Sequence, residues 1–180
     1  MSLIKPHGGY RKLISYQTSE IIYDLTVTFC KKYIDRTYGT NRTHDQMVQA
    51  ARSGKQNIAE GSQVSATSSK LEIKLIGVAR ASLEELLQDY QDFLRQNHLK
   101  IWGKNDSEAK TVRALGYKSN RSYKTYMSYM SHPEEAANCI ICLIHQANFL
   151  LDRQLRSIEK QFLDQGGFTE RMYKSRMGRI

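Results

Sequence analysis

Proline and cysteine are scarce in this 180-residue chain, and each scarcity excludes something. The prolines are Pro6 and Pro133, and the eleven glycines are scattered. Helix interiors tolerate neither residue well, so their distribution favours long helices and disfavours an all-β sandwich. The three cysteines, Cys30, Cys139 and Cys142, are odd in number, and two of them sit inside an apolar run. They make a poor disulfide framework and fit a reducing compartment. Long apolar runs are missing too. The most apolar stretch, 139–144, is stopped by His145 and Gln146 well short of membrane-spanning length. The opening MSLIKPHGGY has too few apolar residues for a signal peptide. These absences predict a soluble, cytoplasmic protein with no membrane partner.

What is abundant is positive charge. The chain has 27 Lys and Arg against 18 Asp and Glu, a formal net charge of +9. Such an excess points to an anionic partner but says nothing about fold. With 40% apolar and 25% charged residues, the composition is that of an ordinary globular domain, long enough for one hydrophobic core.

Apolar periodicity divides the chain into helices. Leu13, Ile21, Ile22, Leu25, Phe29 and Tyr33 recur on one face and predict a first helix over 13–33, ending before a loop that contains Gly39. Thr43 and Gln46 have capping-box spacing, so a second helix is expected over 45–60 with Gly61 as a left-handed stop. Ser69 and Glu72 repeat that spacing ahead of a third helix over 69–97, whose apolar positions hold the helical period from Leu71 to Leu94. Pro133 opens a fourth over 133–164, with Glu134 and Glu135 against the positive end of its dipole and Gly166 and Gly167 at its end. The expected fold is all-α: an antiparallel up-down four-helix bundle in one domain, 1–165.

The charge sits mostly outside those helices. The connection 100–132 carries Lys100, Lys104, Lys110, Arg113, Lys118, Arg121 and Lys124 against Asp106 and Glu108, a net of +5. A connection of that length inside a bundle usually has a function of its own. Its sequence SEAKTVRALGY suits a short helix closed by Gly116, and Trp102, Tyr117, Tyr123, Tyr126 and Tyr129 interleave with its cations. The tail 166–180 adds Arg171, Lys174, Arg176 and Arg179 against Glu170, a net of +3, shows no apolar period and is expected to be mobile.

Catalytic and metal motifs are not found. Cys139, Cys142 and His145 at i, i+3 and i+6 invite a zinc reading, but zinc commonly takes four ligands from two segments, and ANCIICLI reads as core. No Glu-x-x-His occurs for a di-iron bundle site. GSQVSATSSK lacks the second glycine of a phosphate loop, and no Gly-x-Ser-x-Gly elbow is present. No catalytic residue, metal or cofactor is assigned, and the chain is read as a non-enzyme.

The second and third helices are more distinctive. The run QMVQAARSGKQNIAEG, 46–61, followed by a Ser/Thr-rich turn and LIGVARASLEELLQDY, 75–90, resembles the bacterial four-helix-bundle family of the large-subunit rRNA intervening-sequence proteins. The accessory protein of diversity-generating retroelements shares that fold. The resemblance covers roughly residues 10–98 and, more loosely, the fourth helix. It implies a homopentamer and, in the retroelement branch, a basic surface that engages nucleic acid and a reverse transcriptase. The long basic insertion and tail depart from the short family pattern.

Read physically, Ala50, Ala51, Ser53 and Gly54 form a strip of small residues that lets helix axes approach, as do Gly77, Ala79, Ala81 and Ser82. Asn57, Glu60 and Gly61 are taken as a structural motif, with the two polar side chains in a hydrogen-bonded network that fixes the turn into the third helix. Lys and Arg neutralise phosphates, and aromatic faces stack on unpaired bases. The expected function is therefore a homo-oligomeric, nucleic-acid-binding accessory protein, for RNA or DNA. Its expected contacts are Arg52, Lys55, Lys104, Lys110, Arg113, Lys118, Arg121, Tyr123, Lys124, Arg171, Lys174 and Arg176. The alternative is a protein-interaction module whose insertion docks an acidic protein partner.

Overall fold

A computed structural model describes residues 7–34 and 41–178 of the chain. Gly39 of the expected first loop and Arg179 of the basic tail lie outside the described residues. Among the described residues every regular element is helical: α1 (Ile14–Tyr33), α2 (Asn41–Val64), α3 (Ser69–Gln96), α4 (Ser107–Leu115), α5 (Pro133–Gln165) and α6 (Phe168–Met177). Short 3-10 stretches occupy Tyr10–Lys12 and Tyr123–Ser131. None of the described helices is long and apolar enough to cross a membrane.

The four long helices contact one another in a cycle, α1 with α2, α2 with α3, α3 with α5 and α5 back to α1. Each turns its apolar stripe to the centre, where Ile22, Leu25, Phe29, Ile58, Leu83, Leu86 and Ile140 are fully buried. Burying side chains of this size contributes about 1.5–3 kcal/mol apiece before conformational entropy is set against it. Phe29 is the aromatic centre, with the rings of Tyr33, Tyr90 and Phe93 at 5.2, 5.0 and 4.9 Å. Both hydroxyls in that group are satisfied: the buried Tyr90 donates to Thr26 Oγ1 at 3.0 Å and Tyr33 to the Met130 carbonyl at 2.9 Å.

The bounds of α2, the cap of α3 and the tail differ from the sequence reading. Helix α2 continues through Gly61 to Val64 and already includes Thr43, so neither residue is a cap. Gly61 is buried, and a Cβ there would lie 3.3 Å from Ile76 Cδ1, so its role is close approach of α2 to α3. The cap of α3 is Ser68, one residue earlier than Ser69, with its hydroxyl accepting from the Leu71 amide at 3.2 Å. Finally, the tail read as lacking an apolar period holds the ten-residue α6.

Candidate nucleic-acid interface

The insertion is anchored at its start. Asn138 of α5, almost wholly buried, accepts from the Trp102 amide at 2.8 Å and donates to the Lys100 carbonyl at 2.8 Å. Asp106 accepts from the Gly103 amide at 3.1 Å and pairs with Lys100 Nζ at 2.9 Å. The Lys100 ammonium and that amide together hold the Asp106 carboxyl below its ordinary range. Helix α4 then starts, and buries Ala109 and Val112 against α5.

Its end is packed closely. A Cβ on Gly116 would lie 2.8 Å from the Gln146 amide atoms, and Gln146 Nε2 donates to the Arg113 carbonyl at 3.1 Å. Arg113 itself reaches back, with Nη2 donating to the Lys104 carbonyl at 2.6 Å. Beyond Gly116 the chain crosses to α1, where Arg121 Nη2 donates to Thr18 Oγ1 at 2.8 Å. The following 3-10 stretch buries Tyr126 and Met130 in the core, and Tyr129 sets its ring against Trp102 at 6.5 Å. Tyr126 is thus a packing residue, and Tyr129 is half-buried.

These contacts shape two adjoining clefts over α5. The first, about 500 Å³, lies among Ile14 and Gln17 of α1, the loop from Gly116 to Arg121, and Phe149 and Arg153 of α5. The second, about 590 Å³, is walled by Ile101, Trp102, Lys104, Arg113, Ile141 and His145. Tyr117, Gln146 and Phe149 line both. Five cations face the pair: Lys104, Arg113, Lys118, Arg121 and Arg153. Among the described residues no Asp or Glu lines either cleft. At the shared wall Tyr117 is 90% exposed and Phe149 61%, with Arg153 Cζ 5.9 Å from the Phe149 ring centre.

The structure therefore gathers four of the cations singled out in the sequence, Lys104, Arg113, Lys118 and Arg121, and leaves the others elsewhere. Lys110 and Lys124 are exposed but line neither cleft. Tyr123 borders a different hollow, in which Arg11 and Arg121 are set against the carboxylates of Glu20 and Asp24. Arg52 is exposed on α2, while Lys55 places its ammonium 4.5 Å from the Tyr23 ring on the α1 side. Arg171 sits by the turn between α2 and α3, its Nη2 donating to the Ala66 carbonyl at 3.5 Å, with Lys174 and Arg176 exposed further along α6.

The motif around Asn57 is a hydrogen-bonded chain, but without Glu60. Asn57 Nδ2 donates to the Ser53 carbonyl at 2.9 Å and to Ser53 Oγ at 3.1 Å, and Ser53 Oγ shares a 2.9 Å hydrogen bond with Ser82 Oγ of α3. Glu60 points to solvent. The Cys-x-x-Cys-x-x-His run does not converge either. Cys139 and Cys142 are buried, and burial pushes both thiols up, away from the thiolate that binds metal, whereas His145 is exposed beside the second cleft. Among the described residues no group of three or more His, Cys, Asp or Glu is placed to hold a metal ion.

Two cleft residues, Phe149 and Arg153, were not picked out from the sequence. Their signal is the spacing: His145, Phe149 and Arg153 stand four apart and form a stripe beside the apolar one, outside the core period of Ala147 and Leu151. Comparison with protein-family models, curated proteins and solved structures finds no match to this chain.

Proposed function

We propose that this is a non-enzymatic nucleic-acid-binding protein that holds RNA or DNA on the face formed by α4, α5 and the loop 116–122. The observation that carries this reading is the pair of carboxylate-free clefts faced by five cations and two exposed aromatic rings. Cations gathered from three segments neutralise neighbouring phosphates and release their counterions, while scattered surface lysines give only diffuse attraction. Arg113 and Arg121 are pre-oriented by hydrogen bonds to Lys104 and Thr18, which lowers the side-chain entropy lost when an anion docks.

The scaffold beneath is read as an antiparallel up-down four-helix bundle with α4 in its insertion. Residue pairings such as Cys30 with Met47 and Tyr23 with Lys55, Ser53 with Ser82 and Gly61 with Ile76, and Glu84 with Asn148 and Arg80 with Asp152 support it. A homopentamer belongs to the same proposal through the resemblance to the intervening-sequence family, a reverse-transcriptase partner through its retroelement branch, and a cytoplasmic setting through the cysteine usage. Five copies of a modest site would raise avidity without any new contact.

The test is a binding titration of fluorescent RNA and DNA across about 50–300 mM salt, with light scattering for the assembly. The expected result is a steep fall of affinity with salt. Salt-independent binding, or capture of an acidic protein partner that survives nuclease treatment while nucleic acid fails to bind, would overturn the proposal.

A further inference from the structure

The two clefts share a wall of exposed rings set among cations, and that combination narrows the ligand. Resting on the nucleic-acid reading above, we infer that the site takes a single strand, with an unpaired base in the second cleft against Tyr117 and Phe149 and the adjoining phosphates on Lys118, Arg121 and Arg153. The first cleft sets those three cations beside Tyr117 and Phe149, and the second joins the same two rings to Trp102 and Ile101, with Lys104 and Arg113 also in its wall. A strand has the same two parts, a phosphodiester that must stay with cations and a base face that gains by leaving water. In a duplex the base faces are already stacked on one another, so rings as exposed as Tyr117 and Phe149 would stay in water. Only an unpaired base has a free face to offer them.

The local fold serves that arrangement. Gly116 lets α4 end against Gln146 with no Cβ between them, and the next residue, Tyr117, thereby shares a wall with Phe149. At about 590 Å³ the second cleft lies within the range of roughly 300–1,000 Å³ typical of pockets for small ligands. Trp102 lines the same cleft and is the chain's single tryptophan, so it reports on occupancy directly.

The experiment uses the full chain with single strands of about 12 nucleotides, RNA and DNA in separate arms, and the matching duplexes, followed by anisotropy and by Trp102 emission. Single strands are expected to bind at least about tenfold more tightly than duplex and to change Trp102 emission. Tyr117→Ala and Phe149→Ala should each weaken single-strand binding roughly 5- to 150-fold and leave duplex binding and the salt slope as they were, with Tyr117→Phe restoring affinity. Equal affinity for duplex and single strand, or full single-strand affinity in both alanine variants, overturns this inference and leaves the nucleic-acid assignment standing. Failure of every strand and duplex to bind, with poly-glutamate binding instead, overturns both. The RNA and DNA arms show which backbone the site takes.

Discussion

The side-chain oxygen of Asn138 accepts the backbone N–H of Trp102 at 2.8 Å, while the amide nitrogen of the same side chain donates to the carbonyls of Lys100 and Glu134. One buried side chain on α5 thus fixes where the chain leaves the end of α3, and with it the placement of Trp102 in the second cleft. Removing it strands a donor and an acceptor together. Asn138→Ala is expected to cost about 1–3 kcal/mol, since unmade buried hydrogen bonds lose more than a made one gains. For a chain of this size each kcal/mol lowers the melting temperature by about 2–4 °C. Thermal melting followed by circular dichroism and Trp102 emission checks this, and a variant melting within a degree of the parent refutes the clamp.

Two helical glycines should respond with opposite signs to the same substitution. A Cβ on Gly54 would lie 2.8 Å from Leu83 Cδ2 and 2.9 Å from its Cγ, and Leu83 is fully buried. Gly54→Ala therefore overpacks the contact of α2 with α3, a cost of about 1–3 kcal/mol that exceeds the ~1 kcal/mol gain in helix propensity. Gly77 has nothing within 4 Å of such a Cβ. Gly77→Ala should stabilise the monomer by close to 1 kcal/mol. Urea titrations of both variants decide the signs. If Gly77→Ala instead dissociates an oligomer seen by light scattering, that face of α3 is where copies meet.

These glycines show how far the sequence could be read. Pro133 opens α5 and Gly166, at φ 70°, closes it, because a missing N–H and a left-handed backbone act within one turn of the residue itself. Gly61 defeated the same reasoning. Its purpose is the approach to Ile76, fifteen positions away in sequence, and the residue type is the same whether a glycine caps or makes room. Adjacent Ser68 and Ser69 offer equal hydroxyls, so only the extended backbone of Ser68 shows which one caps. The candidate site was legible as an inventory of cations and rings in one insertion. Its assembly was not, because Arg121 is positioned by Thr18 of α1 and the cleft is completed by Phe149 and Arg153 of α5. Those contacts span more than a hundred residues in one case and about thirty in the other, beyond the reach of any local pattern.

The cations in the clefts should separate from those outside by their salt dependence. Neutralising a residue that contacts a phosphate removes one released counterion, which flattens the slope of log K against log salt by about 0.7 for a single strand. Lys118→Gln and Arg153→Gln are expected to do this and to weaken binding to all sequences alike. Arg52→Gln, on α2 and outside both clefts, should leave the slope unchanged. If Arg52→Gln flattens the slope and the two cleft variants do not, the interface lies along α2.

Stability should fall as pH rises toward neutrality, and Glu72 carries the last part of the fall. Glu72, in the first turn of α3, carries a pKa raised by burial to about 7. Proximity to the positive end of the helix dipole favours its charged form, yet the desolvation cost is larger. Because the folded chain holds this proton more tightly than the unfolded chain, the contribution favours folding at low pH. It is lost between the unfolded value near 4.5 and the folded value near 7. Asp89, raised by burial and then by Glu85 and Asp92 to about 6, acts with the same sign but is spent at lower pH. The loss between about pH 6 and 7 is therefore assigned mainly to Glu72. Glu72→Gln keeps the shape and removes the charge, so its melting temperature should exceed that of the parent at pH 8 by a few degrees and converge with it near pH 5. Parallel melting curves across that range would show that the Glu72 carboxylate is solvated in the folded protein.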